Sequence, residues 1–137
     1  MSSSPILSLR QAILAAMRDD AALAALMGGS VRLHDEPPRA AEPVYALFGD
    51  VTAEDASTSS DRGHEQDLAL VVWSREGSAR SGLEAAERLA ALLDDAPLAL
   101  AGHRLANLRL RSIAAGRDPD TGLARVTLRL RAVTEAA

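Results

Sequence analysis

Cysteine and lysine are both missing from this chain. Without cysteine there is no disulfide framework and no thiolate metal site. Aromatic residues are nearly missing too: Tyr45, Phe48 and Trp73 are the whole set. So few rings make an aromatic-lined ligand pocket hard to build. No apolar run approaches the ~20 residues of a membrane helix, and no membrane partner is expected. The N-terminus has no basic stretch followed by an unbroken apolar one, so no secretory signal is expected and the cytoplasm is the default compartment. Positive charge is in deficit: the net charge is −4 at pH 7, whereas a dedicated nucleic-acid binder is normally basic. The motifs of common catalysts are lacking as well. There is no G-x-S-x-G nucleophile elbow. There is no H-E-x-x-H zinc helix and no G-x-x-x-x-G-K-[ST] phosphate loop. These absences point away from an enzyme, and no catalytic residue or cofactor is expected.

What is present is a chain of 137 residues rich in alanine (28) and leucine (21). That length fits one domain, 1–137, which buries roughly two-thirds of its unfolded surface. Small side chains bury less area each, at about 25 cal/mol per Å² of apolar surface. Subunit packing would be a natural supplement to such a core. All 15 basic residues are arginine. Arginine suits fixed, bidentate pairing with carboxylates better than diffuse solvation does.

The periodicity predicts helices and antiparallel strands in turn. Ser4 can cap a first helix with Pro5 at its first position. Ile6, Leu9, Ile13, Ala16 and Met17 recur at helical spacing. Asp19 and Asp20 start a second, short helix that holds Leu23, Leu26 and Met27 and stops at Gly28 and Gly29. Residues 31–34 read as a short strand, and Pro37-Pro38 force an extended connection. Residues 44–51 read as a strand with Tyr45, Leu47 and Val51 on one face. Residues 65–74 read as its hairpin partner. Between them 52–63 reads as a long, Ser-rich, acidic tip, longer than a hairpin needs. The next helix is expected over 81–94, with Ser81 and Glu84 as a capping box. Its buried stripe would be Leu83, Ala86, Leu89, Ala90 and Leu93. Residues 98–103 read as a connection or edge piece. The final third alternates over 105–115 and 123–133 around a turn at 118–122, the clearest hairpin in the chain. The expected fold is α+β: two main helices on an antiparallel or mixed sheet of four to five strands, in the order α-α-β-β-β-α-β-β.

Few residues are arranged for chemistry. His34-Asp35-Glu36 and His64-Glu65-Gln66-Asp67 contain metal-ligating types. On a strand, however, neighbours point to opposite faces and rarely share an ion. No metal site is expected from them. The C-terminal hairpin is more informative. Arg109 and Arg111 on one strand, and Arg125, Arg129 and Arg131 on the other, would form an arginine face. Leu108, Leu110, Leu128 and Leu130 would fill the opposite side. Like charges side by side in a sheet repel, so such a face needs carboxylates from this chain or a neighbour. With Glu54, Asp55, Asp61 and Arg62 at the long tip, these arginines are the candidate interface residues.

Several segments, taken in order, resemble one family. They are residues 5–13 (PILSLRQAI), Asp20-Ala-Ala-Leu23, Leu26-Met-Gly-Gly29 and 31–38 (VRLHDEPP). Arg62-Gly-His-Glu-Gln66, Val72-Trp-Ser74, Asp95-Ala-Pro-Leu98, 102–108 (GHRLANL) and Arg131-Ala-Val133 follow. Together they resemble the tail-completion, or tail-terminator, proteins of long-tailed phages, as found in alphaproteobacterial prophages and gene transfer agents. The resemblance covers nearly the whole chain and carries no catalytic residue. It implies a small α+β subunit of a hexameric ring that terminates the tail tube and meets the head-side connector, leaving a channel for DNA. The implied partners are further copies of the chain, the tail tube protein and the connector. DNA would pass without specific binding. Assembly would occur in the cytoplasm and end in the particle's tail. The alternatives at this level are a head-tail stopper ring or, in another class, a small metal-dependent hydrolase.

Overall fold

The computed structural model describes residues 4–137. Its first helix, α1, spans Pro5–Met17, and the hydroxyl of Ser4 accepts the Leu7 N–H at 3.2 Å as the cap. The second, α2, spans Ala21–Leu26, and Asp20 caps it by accepting the Leu23 N–H at 2.9 Å. It stops at Gly28 and Gly29, whose φ values of +97° and +116° suit glycine. The third, α3, spans Ala79–Leu93. Six strands follow the chain as β1 (Leu33–His34), β2 (Val44–Asp55), β3 (Gly63–Ser74), β4 (Ala99–Leu100), β5 (His103–Arg117) and β6 (Ala124–Ala136). They form one sheet in the order β1-β2-β3-β6-β5-β4. All neighbours are antiparallel except β1 and β2. β3, α3 and β5 make a split βαβ unit, with β6 inserted between its two parallel strands.

The mixed α+β class is as the patterning predicts, with two corrections to the detail. The sheet has six strands rather than four or five, because 99–100 pairs with 103–104 at the sheet edge. The element order therefore gains a strand after α3. No helix among the described residues is long and apolar enough to cross a membrane.

One face of the sheet carries the core. Val44, Ala46, Leu68, Leu70, Val72, Val126, Leu128 and Leu130 pack against Leu9, Ile13, Met17, Leu23, Leu89 and Leu93 of the helices. Tyr45 and Leu47 share one face of β2 as expected, on the helix-free side, with Val44, Ala46 and Phe48 buried on the other; Val51 does not join them. A bulge is the reason. The register with β3 shifts between Phe48 and Val51, so one extra residue changes the parity and brings Val51 onto the core side.

α3 begins earlier than the capping box predicts. Ser81 sits inside the first turn, and Glu84 pairs with Arg80 instead, Nε to Oε1 at 3.1 Å. The shift turns Leu83 outward, 39% exposed, and turns Gly82 onto β3. A Cβ on Gly82 would stand 2.6 Å from Ser74 Oγ. Glycine at this point sets how closely α3 approaches the sheet.

α2 is fastened to α3 by a bidentate pair. Arg88 Nη2 and Nε donate to Asp20 Oδ1 and Oδ2 at 2.7 and 3.0 Å. The Arg88 hydrogen bonds, with the Leu23 N–H, hold the Asp20 carboxyl below its ordinary range. α1 is fastened by Gln66, fully buried, whose Nε2 donates to the Pro5 carbonyl at 3.0 Å and to Thr134 Oγ1 at 3.3 Å.

Two measurements check this packing. Gly82→Ala gains helix propensity but must push α3 away from Ser74, so a net loss of roughly 1 kcal/mol or more is expected in urea unfolding. Adding Ser74→Gly should recover part of it as a coupling between the two sites. Asp20→Ala removes a cap and should lower stability by about 1 kcal/mol at neutral pH. Because the folded pKa of Asp20 is depressed, its pH-dependent contribution is complete above the ordinary value of 3.8. It disappears as pH falls through the lower folded value. The gap between wild type and Asp20→Ala should therefore narrow below pH 3.8; a gap constant with pH would refute the assignment.

A candidate assembly surface

The helix-free face of the sheet is built by simple alternation. With the core residues turned inward, β6 presents Arg125, Thr127, Arg129 and Arg131 outward, and β3 presents Glu65, Asp67, Ala69, Val71 and Trp73. The face is apolar at one end and charged at the other. Tyr45 lies opposite Trp73, and Leu47 opposite Val71; all four are half-buried. Between the ends, small residues such as Gly49, Ala69, Ala114 and Gly116 line a shallow open groove of about 470 Å³.

The register does gather the predicted arginines on this side. Arg109 stands directly across from Arg131, and Arg129 across from Ser112. Their repulsion is relieved within the chain at two points. Arg131 Nε donates to Glu65 Oε1 at 2.7 Å, and Arg109 Nε lies 3.6 Å from Asp94 Oδ1. The Arg131 hydrogen bond holds Glu65 below the ordinary carboxylate range, and Glu65 in turn raises Arg131. Arg104 and Glu135 form a further ion pair on the same two strands. Arg111 falls at a second bulge, where the register shifts between Leu110 and Ser112. Among the described residues, Arg111, Arg125 and Arg129 have no ion-pair partner. The counter-charges Glu65, Asp67 and Asp94 escaped the sequence reading. The signal for the first two was available: alternation from Leu68 places both on one face of β3.

The long tip is shorter and more regular than its composition suggests. The ladder continues through Asp55 opposite His64, and the Ala56 N–H reaches the Gly63 carbonyl at 2.9 Å. Only 57–62 lies beyond that bond. Within it Asp55 Oδ1 accepts from the Ser57 hydroxyl and amide, and Ser57 Oγ accepts the Gly63 N–H at 3.1 Å. Thr58 and Asp61 are joined by main-chain and side-chain bonds of 2.8 and 3.0 Å. The bonds from Ser57 hold Asp55 below the usual carboxylate range. Glu54, Asp55, Asp61 and Arg62 are thus at the end of a braced hairpin, beside the C-terminal end of β6, whose Ala136 N–H reaches the Arg62 carbonyl at 2.8 Å, and with Asp61 near enough to Arg104 of β5 to help raise it.

The two histidine clusters do not converge. His34 Nε2 is 2.6 Å from Glu42 Oε1, and His64 starts β3 on the far side of β2. No group of three or more metal-ligating side chains is assembled among the described residues.

The profile of the tail completion protein gp17 family matches residues 11–135. No curated protein matches the chain. Among solved structures 15 chains match. One is a chain of the "virion of native gene transfer agent (GTA) particle". It superposes with a TM-score of 0.87 at 27% identity, covering 98% of this chain and 100% of that one. With nearly the whole chain matched, this protein belongs to the tail completion protein gp17 family.

Proposed function

We propose that this chain is a non-catalytic structural subunit in the tail of a phage-like particle. Six copies close into a ring at the end of the tail tube, and the ring joins the tube to the head-side connector around a channel for DNA. The observation that carries this reading is the end-to-end match to a chain of a gene transfer agent virion, supported by the family match. The surface supports it too. The groove on the helix-free face is shallow, with no buried acid or base at its floor, which suits contact better than turnover. A net charge of −4 favours passage of DNA over its retention, since phosphate binding draws on surplus cationic charge. Ring contacts would be heterologous, one patch meeting a different patch on the next copy.

The reading is tested in producing cells. Particles made without this chain should have free heads and tails of irregular length by electron microscopy. Normal, joined particles in its absence would overturn the assignment. A second test concerns the hairpin end. Replacing 57–62 by Asn-Gly between Ala56 and Gly63 keeps a two-residue hairpin turn. Loop length has little influence on stability, so the unfolding temperature should move by only a few degrees. Tail completion or head joining should nevertheless fall. Undiminished particle yield would show that the tip is passive.

A further inference from the structure

Both edges of the sheet are open along part of their length. β1 pairs with β2 only at Ala46 and Leu47. From 49 to 55, β2 has β3 as its sole strand partner. At the other edge β4 pairs only with His103 and Arg104 of β5. The next stretch of β5 is covered by the end of α3. The Leu110 N–H donates to Asp94 Oδ1 at 3.0 Å, and the Asp95 N–H to the Leu108 carbonyl at 2.8 Å. From 111 to 117, β5 has β6 on one side and no backbone partner on the other among the described residues. Unpaired strand edges are templates for another strand.

The two open stretches complement each other in length, direction, charge and apolar pattern. β2 and β5 run in opposite directions across the sheet, so a second copy set beside the first in the same orientation offers its β2 antiparallel to β5. The β2 stretch carries Asp50, Glu54 and Asp55 and no basic residue; the β5 stretch carries Arg111 and Arg117 and no acidic one. Asp50, Glu54 and Arg111 have no ion-pair partner within the chain among the described residues. Glu54 also stands directly opposite Glu65, which is ion-paired to Arg131 and feels Arg111 only at longer range. On the core side Ile113 is 42% exposed, while Val51 and Ala53 of β2 are half-buried on that same side.

We propose that the 111–117 edge of β5 pairs antiparallel with the 49–55 edge of β2 in a second copy of this chain, continuing the sheet from subunit to subunit. This contact rests on the ring reading above and names its surfaces. One register satisfies both faces. Ala53 lies opposite Ile113 and Val51 opposite Ala115 on the core side, with Thr52 opposite Ala114 on the other. Glu54 and Asp55 then lie beside Arg111, and Asp50 beside Arg117. Within one copy Thr52 is level with Arg109, through Asp67 and Arg131. The docked copy is therefore offset by about five residues along the strand, or ~17 Å. Strands inclined to the axis of a closed ring accumulate such an offset, as in barrel shear.

The test uses charge exchange in assembled particles. Arg111→Glu and Glu54→Arg, made separately, should each weaken the contact roughly tenfold, or about 1.4 kcal/mol. Both should lower the yield of completed tails while leaving the subunit's thermal unfolding unchanged. The two combined in one chain should restore yield to within about twofold, because each contact regains an opposite pair. A second measurement does not depend on charge. Cysteine is absent from the chain, so Ala53→Cys with Ile113→Cys introduces a single pair on opposite edges of one copy. On oxidation it should yield a ladder of disulfide-linked multimers, and either substitution alone should not extend beyond monomer. Wild-type yield from both single reversals, failure of the combined variant, or absence of the ladder in completed particles would each overturn the edge contact while leaving the ring intact. Completed wild-type particles holding this chain as one copy or a two-fold pair would overturn the ring as well.

Discussion

The helical layer is much shorter than the sheet it covers. α3 has 15 residues and spans ~22 Å at about 1.5 Å each. β5 has the same number and reaches ~50 Å at about 3.3 Å each. The helices can therefore bury only part of the sheet. Where they cover it, β6 alternates between buried and accessible residues. Beside them, at the sheet edge, β5 is exposed on every residue from 111 to 117, although Val126 and Leu128 across from it on β6 are buried. At the hairpin end β2 is exposed at Glu54 and Asp55, while β3 beside it keeps Gly63 and Gln66 buried.

Within the covered part, the small side chains are used for close approach rather than bulk. Ala85, Ala86 and Ala90 on α3 are buried against the sheet, and Gly82 lets the helix meet Ser74. The polar fastenings sit where elements meet: Asp20 with Arg88 between α2 and α3, Gln66 between α1 and the sheet. The larger helix side chains Leu9, Ile13, Met17, Leu23, Leu89 and Leu93 fill the space between these close approaches.

Charge on the helix-free face divides in two. Arg109, Arg131 and Arg104 are answered by Asp94, Glu65 and Glu135 of the same chain, which lets a sheet carry like charges across from one another. Such exposed pairs add little stability each. Among the described residues this leaves Arg111 on the outer strand β5, and Arg125 and Arg129 on β6, without an ion-pair partner.

The helix ends at Ser4, Asp20, Gly28 and Gly29 and the C-terminal hairpin were legible in the sequence, because caps, turns and alternation act within a few residues. So was the family, from short segments spread over the chain. The side of β2 on which Val51 falls was not legible. The bulge at Gly49 and Asp50 changes the side-chain parity, and pairing with β3, not local composition, places that bulge. The start of α3 escaped for a similar reason: Ser81 and Glu84 make a plausible cap locally, but packing of Gly82 on Ser74 sets where the helix lies. The polar run after Val51 looked like loop because alternation vanishes where both faces of a strand are wet, although the ladder continues through Asp55. Local hydrogen bonds and residue period thus determined which elements form. Register, bulges and the reach of the helices, which depend on contacts between distant residues, decided which side chains meet and which edges stay open.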